Sequence, residues 1–159
     1  MEPLTLEMLL ERIRSKDDNA RASARDDAGA VGAKAVAPLA KIAVEGEQEI
    51  ARAANRAIQN IVYHAGRPGA ESEAKAVAAE LLALLGKDQP VQFHRDLLWM
   101  TWQIAGEVAV GPVAAKLNNP KLREDARMAL EKLPGDNAVG ALKAALPAAP
   151  DDFQPNLAH

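Results

Sequence analysis

The segment Gly32-Ala33-Lys34-Ala35-Val36-Ala37-Pro38-Leu39 returns further along the chain in two altered copies. The first altered copy is Gly106-Glu107-Val108-Ala109-Val110-Gly111-Pro112-Val113, and the second is Gly135-Asp136-Asn137-Ala138-Val139-Gly140-Ala141-Leu142. A phrase that recurs after roughly thirty to forty residues is typical of repeat proteins, in which each helical unit buries its apolar face against its neighbours. The sequence therefore predicts a stack of similar units.

Composition favours an all-helical fold. The chain has 159 residues, of which 48% are hydrophobic and only 3% are aromatic, and alanine dominates the apolar set. A β-sandwich would be richer in Val, Ile, Thr, Tyr and Phe. The absence of cysteine excludes a disulfide framework and a thiolate zinc site. A net charge of −3 is not the global positive charge typical of nucleic-acid-binding proteins.

Apolar residues at helical spacing predict a single domain over residues 1–159 that begins with a capping helix at about 4–15. Thr5 stands where an N-cap residue belongs, directly before the first apolar stripe. A further helix is predicted to start within 151–159. Between these two elements we predict four helical pairs, over about 17–45, 47–86, 88–118 and 119–146.

Turn residues indicate where helices begin within the pairs. Pro38 falls in the first turn of a helix that starts near Ala35, where a proline nitrogen has no intrahelical acceptor to lose. Asn119 and Pro120 are expected to cap and open the fourth pair. The second helix of that pair follows a turn at 134–136, and its apolar stripe is expected to contain Val139, Leu142 and Leu146.

These features resemble the HEAT-repeat family. The resemblance rests on first helices rich in arginine, such as Leu122-Arg123-Glu124-Asp125-Ala126-Arg127-Met128-Ala129-Leu130, and on second helices that open with Ala-Val-x-Pro-Leu. It covers about residues 17–146, although Ala141 replaces the proline in one copy and Ala79 replaces it near Val77. The resemblance implies a right-handed α-solenoid whose second helices line a concave face, in a family that mostly binds proteins, sometimes nucleic acid, and rarely acts enzymatically.

The function expected from this resemblance is a non-enzymatic protein-binding or scaffold module. Its concave groove would hold a protein or peptide partner whose identity the pattern does not specify. No catalytic residue, cofactor or metal ligand is expected. The residues expected to line the groove are the lysines of the second helices, Lys34, Lys41, Lys75, Lys116 and Lys143.

Arginine pairs suggest an alternative function. Arg21 with Arg25, and Arg52 with Arg56, are spaced i, i+4 on two successive first helices, and stacking would join them into a phosphate-contacting stripe. Such a stripe would serve a nucleic-acid binder or a HEAT-like DNA glycosylase. Interleaved acidic residues favour instead a solvated face with ion pairs. A second alternative is a structural segment of a longer multi-repeat protein.

Other candidate motifs have simpler interpretations. The kinase-like phrase His94-Arg95-Asp96-Leu97 has no glycine-rich loop or Asp-Phe-Gly beside it, so we interpret it as chance. Trp99 and Trp102 are expected to pack in the core at a repeat interface, although such a pair can also stack on bases. His64, His94 and His159 lack the spacing of metal ligands.

The N-terminal residues have neither the basic segment nor the apolar core of a signal peptide. No apolar stretch approaches the eighteen or so residues of a membrane span. The sequence therefore favours a cytoplasmic protein that does not bind membranes.

Overall fold

A computed structural model of the chain describes residues 3–133 and 136–145. Of these residues, 80% lie in helices and none lies in a strand, which confirms the all-α prediction. The predicted turn residues 134 and 135, Leu146 and the helix start predicted within 151–159 lie outside the described residues. The chain divides into two compact units, the first ending at Leu81 and the second beginning at Leu82.

The first unit contains four complete helices and most of a fifth, which crosses the boundary. Two 3₁₀ turns, Ala28–Ala30 and Ala33–Ala35, lie between the second and third helices. The helices are α1 Leu6–Ile13, α2 Asp18–Asp27, α3 Val36–Glu45, α4 Gln48–Ala65 and α5 Glu71–Leu85.

Capping residues define the first two helix starts. The amide of Met8 donates to Thr5 Oγ1 at 3.1 Å, which confirms the predicted N-cap of α1. The amide of Asn19 likewise donates to Asp17 Oδ1 at 3.0 Å. Both side chains satisfy amides that have no partner within the first helical turn.

The repeated segment has the same local structure in both described copies that carry its proline. Gly32 has a φ of 82°, which favours glycine, and its carbonyl oxygen accepts from the amide of Ala35 at 3.1 Å to form a 3₁₀ turn. Helix α3 then begins at Val36, with Pro38 in its first turn as predicted. In the second unit the carbonyl of Gly106 accepts from Ala109 at 3.0 Å, and a helix begins at the next residue.

Helix α4 is the centre of the first unit. It packs against α1, α2, α3 and the 3₁₀ turn Ala28–Ala30. Each large apolar side chain that it helps to bury contributes roughly 1.5–3 kcal/mol to stability. The largest fully buried side chains of this unit are Leu9, Ile13, Leu39, Ile58, Ile61 and Leu81.

The second unit is arranged around α8. This helix packs against α6, α7 and α9, and α7 also contacts α9. A 3₁₀ turn, Ala115–Asn118, extends α7. The helices are α6 Val91–Ile104, α7 Val110–Ala114, α8 Arg123–Lys132 and α9 Asp136–Ala145.

Helix α8 begins later than predicted. Asn119 Oδ1 accepts from the amide of Lys121 at 2.9 Å, and the Asn119 carbonyl accepts from the amide of Arg123 at 2.8 Å. Asn119 and Pro120 therefore belong to a turn that precedes the helix, and their predicted roles as cap and first helical residue are wrong. Asparagine side chains stabilise such turns as readily as helix starts.

The apolar pattern of the last repeated segment also differs from prediction. Val139 is 50% exposed, whereas Val36 and Val77 are fully buried at the same position of their helices. Ala138 is the buried residue of α9, which packs against α7 and α8. No helix follows α9 in the described residues, so nothing in this part of the chain covers Val139.

The tryptophans form a partly exposed cluster. Their ring centroids are 6.1 Å apart in an edge-to-face arrangement, and Lys132 Nζ lies 5.3 Å from the Trp102 ring centroid. Trp99 is 41% exposed, so the prediction that both indoles pack in the core is wrong for this residue. Solvent reaches it because it lies on the side of α6 away from the buried Leu97 and Leu98.

His94 is buried in the second unit, where its Nε2 donates to the carbonyl oxygen of Lys87 at 3.1 Å. Burial lowers the pKa of His94 because it disfavours the charged imidazolium, and the positive charge of Lys116 lowers the pKa further. Asp88 and two backbone carbonyls oppose this shift more weakly. The His94 of the His-Arg-Asp phrase is thus a structural side chain.

The lowered pKa of His94 predicts a loss of stability in mild acid. The unfolded chain binds a proton near the ordinary histidine pKa of about 6.5, while the folded chain binds it only at lower pH. Stability should therefore fall as pH drops through this window. We expect the urea midpoint to decrease more between pH 8 and pH 5.5 for the wild type than for His94→Gln, and equal decreases would contradict this.

Candidate binding grooves of the first unit

Two neighbouring grooves lie along the contact between α2 and α4 in the first unit. The arginine groove, of about 780 Å³, is lined by residues 18–25 of α2 and 49–59 of α4. The tyrosine groove, of about 920 Å³, is lined by parts of α1, the end of α2 and residues 60–67 at the end of α4. Both grooves are open to solvent.

The arginine groove brings together the arginine pairs that the sequence singled out. Each pair is spaced i, i+4, so its two members lie on one side of their helix. Because α2 and α4 pack together, the two pairs line the same groove. The charged lining residues are Asp18, Arg21, Arg25, Glu49, Arg52 and Arg56.

Arg21 differs from the other three arginines because it is only 8% exposed. Its guanidinium donates to the carbonyl oxygen of Ser15 at 2.7 Å and pairs with Asp18. These bonds tie α2 to the turn that follows α1. Arg21 is therefore held within the unit, and its predicted phosphate contact would compete with this structural role.

The remaining arginines present their charge to solvent. Arg25 Nε is 3.6 Å from Asp26 Oδ1, and Arg52 Nη1 is 3.7 Å from Glu49 Oε1. Exposed ion pairs at such distances contribute below about 1 kcal/mol. The exposed Arg56 makes no ion pair with any residue in 3–133 or 136–145. Three guanidinium groups thus remain accessible in this groove.

The tyrosine groove is marked by an exposed aromatic ring. Tyr63 is 84% exposed, although a tyrosine can bury 150–250 Å² of surface when it is covered. Leu4 and Met8 of the α1 region supply further apolar surface to the groove. Asp26 and Asp27 give the lining negative charge, and Arg12 and Arg67 give it positive charge.

Close packing fixes the walls of the tyrosine groove. A Cβ atom added at Gly29 would lie 2.7 Å from His64 Cβ, so glycine allows the 3₁₀ turn to approach α4. Asn60 Nδ2 donates to the carbonyl oxygen of Arg25 at 2.7 Å and joins α4 to α2 where the two grooves meet.

The rim beside Tyr63 is held by Arg67. Its guanidinium donates to Glu73 at 2.7 and 3.0 Å and to the carbonyl oxygen of His64 at 2.7 Å. The hydrogen bonds from Arg67 lower the pKa of Glu73, and the same bonds raise the pKa of Arg67. Arg67 is therefore a fixed positive group.

Sequence reasoning did not single out Tyr63. It lies outside the buried apolar stripe of α4, which includes Ile58, Ile61 and Val62. The position of Tyr63 on the polar side of an amphipathic helix could have indicated a binding surface. An aromatic ring on that side does not pack into the core and stays exposed unless a partner covers it.

The five lysines predicted to line a groove lie in both units. Lys34, Lys41, Lys75 and Lys143 are exposed and Lys116 is half-buried. None of the five lines the arginine groove or the tyrosine groove. The concave lysine groove stays a prediction.

Arg127 forms ion pairs within α8. Arg127 pairs with Glu124 and lies 2.5 Å from Glu131, and its hydrogen bond with Glu124 is the main cause of its raised pKa. Arg95 Nε lies 3.2 Å from Asp125 Oδ2 and links α6 to α8. This surface has the ion pairs expected of a solvated helical face.

Two further observations concern the described residues. They contain no group of three or more His, Cys, Asp and Glu side chains placed to hold a metal ion. Among their helices, none is both long enough and apolar enough to cross a membrane.

The fold and the two grooves define the class of molecule as an all-helical protein with two open grooves in its first unit. No protein-family model and no curated protein matches the sequence. The site chemistry therefore rests on the groove side chains themselves, which offer guanidinium groups, carboxylates and one exposed phenol ring.

Proposed function

We propose that the protein is a non-enzymatic protein-binding module and that its tyrosine groove holds a short segment of the partner. The exposure of Tyr63 supports this proposal most directly. Tyrosine is enriched among the residues that dominate binding energy at protein interfaces. A partner side chain that covered this ring would bury a large apolar area within a groove that already exists.

The charges around Tyr63 fit a peptide ligand. Asp26 and Asp27 favour a basic side chain or a backbone amide, while Arg12 favours carboxylates and carbonyl oxygens. A peptide offers groups of both kinds along a short length. A nucleic-acid strand, which is negative throughout, would meet two aspartates in this groove.

We further propose that the helical pairs are HEAT-like repeats of a right-handed α-solenoid. The packing within each unit supports this arrangement. In the first unit α2 packs against α4, and in the second unit α6 packs against α8 and α7 against α9. First helices thus contact first helices in both units, and second helices contact each other in the second unit, as in stacked hairpins. Such a scaffold holds its binding surface rigid, which reduces the ordering cost of binding.

A nucleic-acid binder or HEAT-like DNA glycosylase is the second candidate. The gathering of Arg25, Arg52 and Arg56 in one groove favours it. Asp18 and Glu49 line the same groove and oppose a polyanion. Binding of this kind would weaken steeply as salt concentration rises.

Replacement of Tyr63 tests the protein-binding proposal. Twelve-residue peptides selected from a random display library on the wild-type protein should bind Tyr63→Ala at least about tenfold more weakly, because removal of a central aromatic side chain costs 2 kcal/mol or more. Fluorescence anisotropy with labelled peptides measures this change. Val44→Ala removes another exposed apolar side chain of the first unit and should leave the affinity unchanged.

The thermal unfolding curves of both variants should match the wild type, because neither side chain is buried. A library that yields no binder, or peptides that bind Tyr63→Ala as tightly as the wild type, would contradict the proposal.

A further inference from the structure

The arginine groove and the tyrosine groove are neighbours along α4. Both have walls from α2 and α4, and the hydrogen bond between Asn60 and the carbonyl of Arg25 lies where they meet. Arg56 and Tyr63 are seven residues apart on α4, so they lie on the same side of the helix, about 10 Å apart along its axis. An extended peptide covers that distance in about three residues.

The arginine groove has a surplus of positive charge. Arg21 is paired with Asp18, which leaves three guanidinium groups, of Arg25, Arg52 and Arg56. Two carboxylates lie beside them, Asp26 at 3.6 Å from Arg25 and Glu49 at 3.7 Å from Arg52. The remaining positive charge suits the groove to an anionic ligand.

The shape of the donor set also favours a phosphate monoester. A guanidinium group donates in a planar fork, and several forks around one site match an acceptor with three oxygen atoms pointing in different directions. The existing ion pairs of Arg25 and Arg52 are 3.6 and 3.7 Å long and exposed, so these groups can exchange partners readily. The exposed side chains of Asn19 and Gln59 line the same groove and add amide donors.

We propose that the arginine groove binds a phosphate monoester on the same peptide segment whose apolar side chain covers Tyr63. The ligand is then a phosphorylated peptide with an apolar residue about three positions from the phosphorylated residue. This inference rests on the proposed function, because it names the chemistry of the partner. A peptide is favoured over nucleic acid because Asp26 and Asp27 in the tyrosine groove repel a second phosphate.

A pair of synthetic libraries tests the inference. One library carries a fixed phosphoserine between degenerate positions, and the other carries serine at that place. The phosphoserine library should be enriched on the wild-type protein for peptides with an apolar residue at the third position from the phosphate. Removal of the phosphate from an enriched peptide should lower its affinity at least tenfold, as measured by fluorescence anisotropy.

Matched variants test whether the arginine groove causes the phosphate-dependent affinity. Arg56→Ala should lower the affinity for the phosphopeptide at least tenfold and leave the affinity for its serine form unchanged. Arg14→Ala removes an exposed arginine that lines neither groove and should change the affinity less than twofold. Tyr63→Ala should weaken both forms of the peptide.

The other outcomes are distinguishable. Selected peptides could bind equally with and without phosphate and lose affinity only in Tyr63→Ala. That result would overturn the phosphate inference and leave the proposed function standing. A different result is that the protein binds a 20-base-pair DNA duplex, binds no peptide, and loses the duplex in Arg56→Ala. This result would overturn the phosphate inference and the proposed function, and would favour nucleic-acid binding. No binding of any probe would also overturn both.

Discussion

Leu130→Ala is expected to lower the free energy of unfolding by more than about 2 kcal/mol, and by up to about 5 kcal/mol. Leu130 is fully buried in α8, the helix that packs against α6, α7 and α9. Neighbours on three sides hold the space open after the side chain is shortened. The variant therefore loses the transfer energy of the removed atoms and also gains a cavity.

Tryptophan fluorescence measures this effect in the unit where it arises, because both tryptophans of the chain, Trp99 and Trp102, lie in the second unit. The urea midpoint should shift while the slope of the transition stays the same. Met128→Ala, at a half-buried position of the same helix, should cost less than Leu130→Ala. An unchanged midpoint in Leu130→Ala would show that the apolar stripe of α8 lies on another side.

Local signals explain why many helix ends were predictable from sequence. Thr5 caps α1 through its own side chain, and Gly32 adopts a backbone conformation that other residues avoid. Both effects depend only on residues a few positions away. Asn119 shows the limit of such reasoning, because its side chain satisfies a nearby amide equally well in a turn before the helix.

Burial was harder to predict because it depends on which neighbours each side chain meets in the folded structure. The exposure of Val139 is set by what lies beside α9, and the burial of Arg21 by the carbonyl of Ser15 in another segment. Trp99 is exposed because α6 directs Leu97 and Leu98 into the core instead. None of these neighbours can be read from apolar spacing alone.

The candidate site was predictable in part. The i, i+4 spacing of the arginines placed each pair on one side of its helix, and the packing of α2 against α4 brought the pairs into one groove. The tyrosine groove was not predicted, because its wall depends on the approach of Gly29 to α4. No residue near Gly29 in the sequence indicates that this glycine packs closely against another helix.

Gly29→Ala is expected to destabilise the first unit by about 1–3 kcal/mol. The new Cβ atom would lie 2.7 Å from His64 Cβ and 2.9 Å from His64 Cγ, closer than nonbonded carbon atoms approach. Rotation of the histidine side chain cannot move its own Cβ. The 3₁₀ turn must therefore shift away from α4, and the wall of the tyrosine groove shifts with it. Urea denaturation followed by far-ultraviolet circular dichroism measures the loss.

Control variants separate this steric effect from helix propensity. Gly140→Ala, in α9, introduces a Cβ with no atom within 4 Å outside its own helix backbone and chain neighbours, so it should stabilise the protein by up to about 1 kcal/mol. Two second substitutions in the Gly29→Ala variant test the clash itself. His64→Ala keeps the clashing Cβ and should restore little stability. His64→Gly removes that atom and should restore more, although glycine disfavours the helix. Full stability of Gly29→Ala alone would mean that the turn lies further from α4, and the groove would then lose its wall.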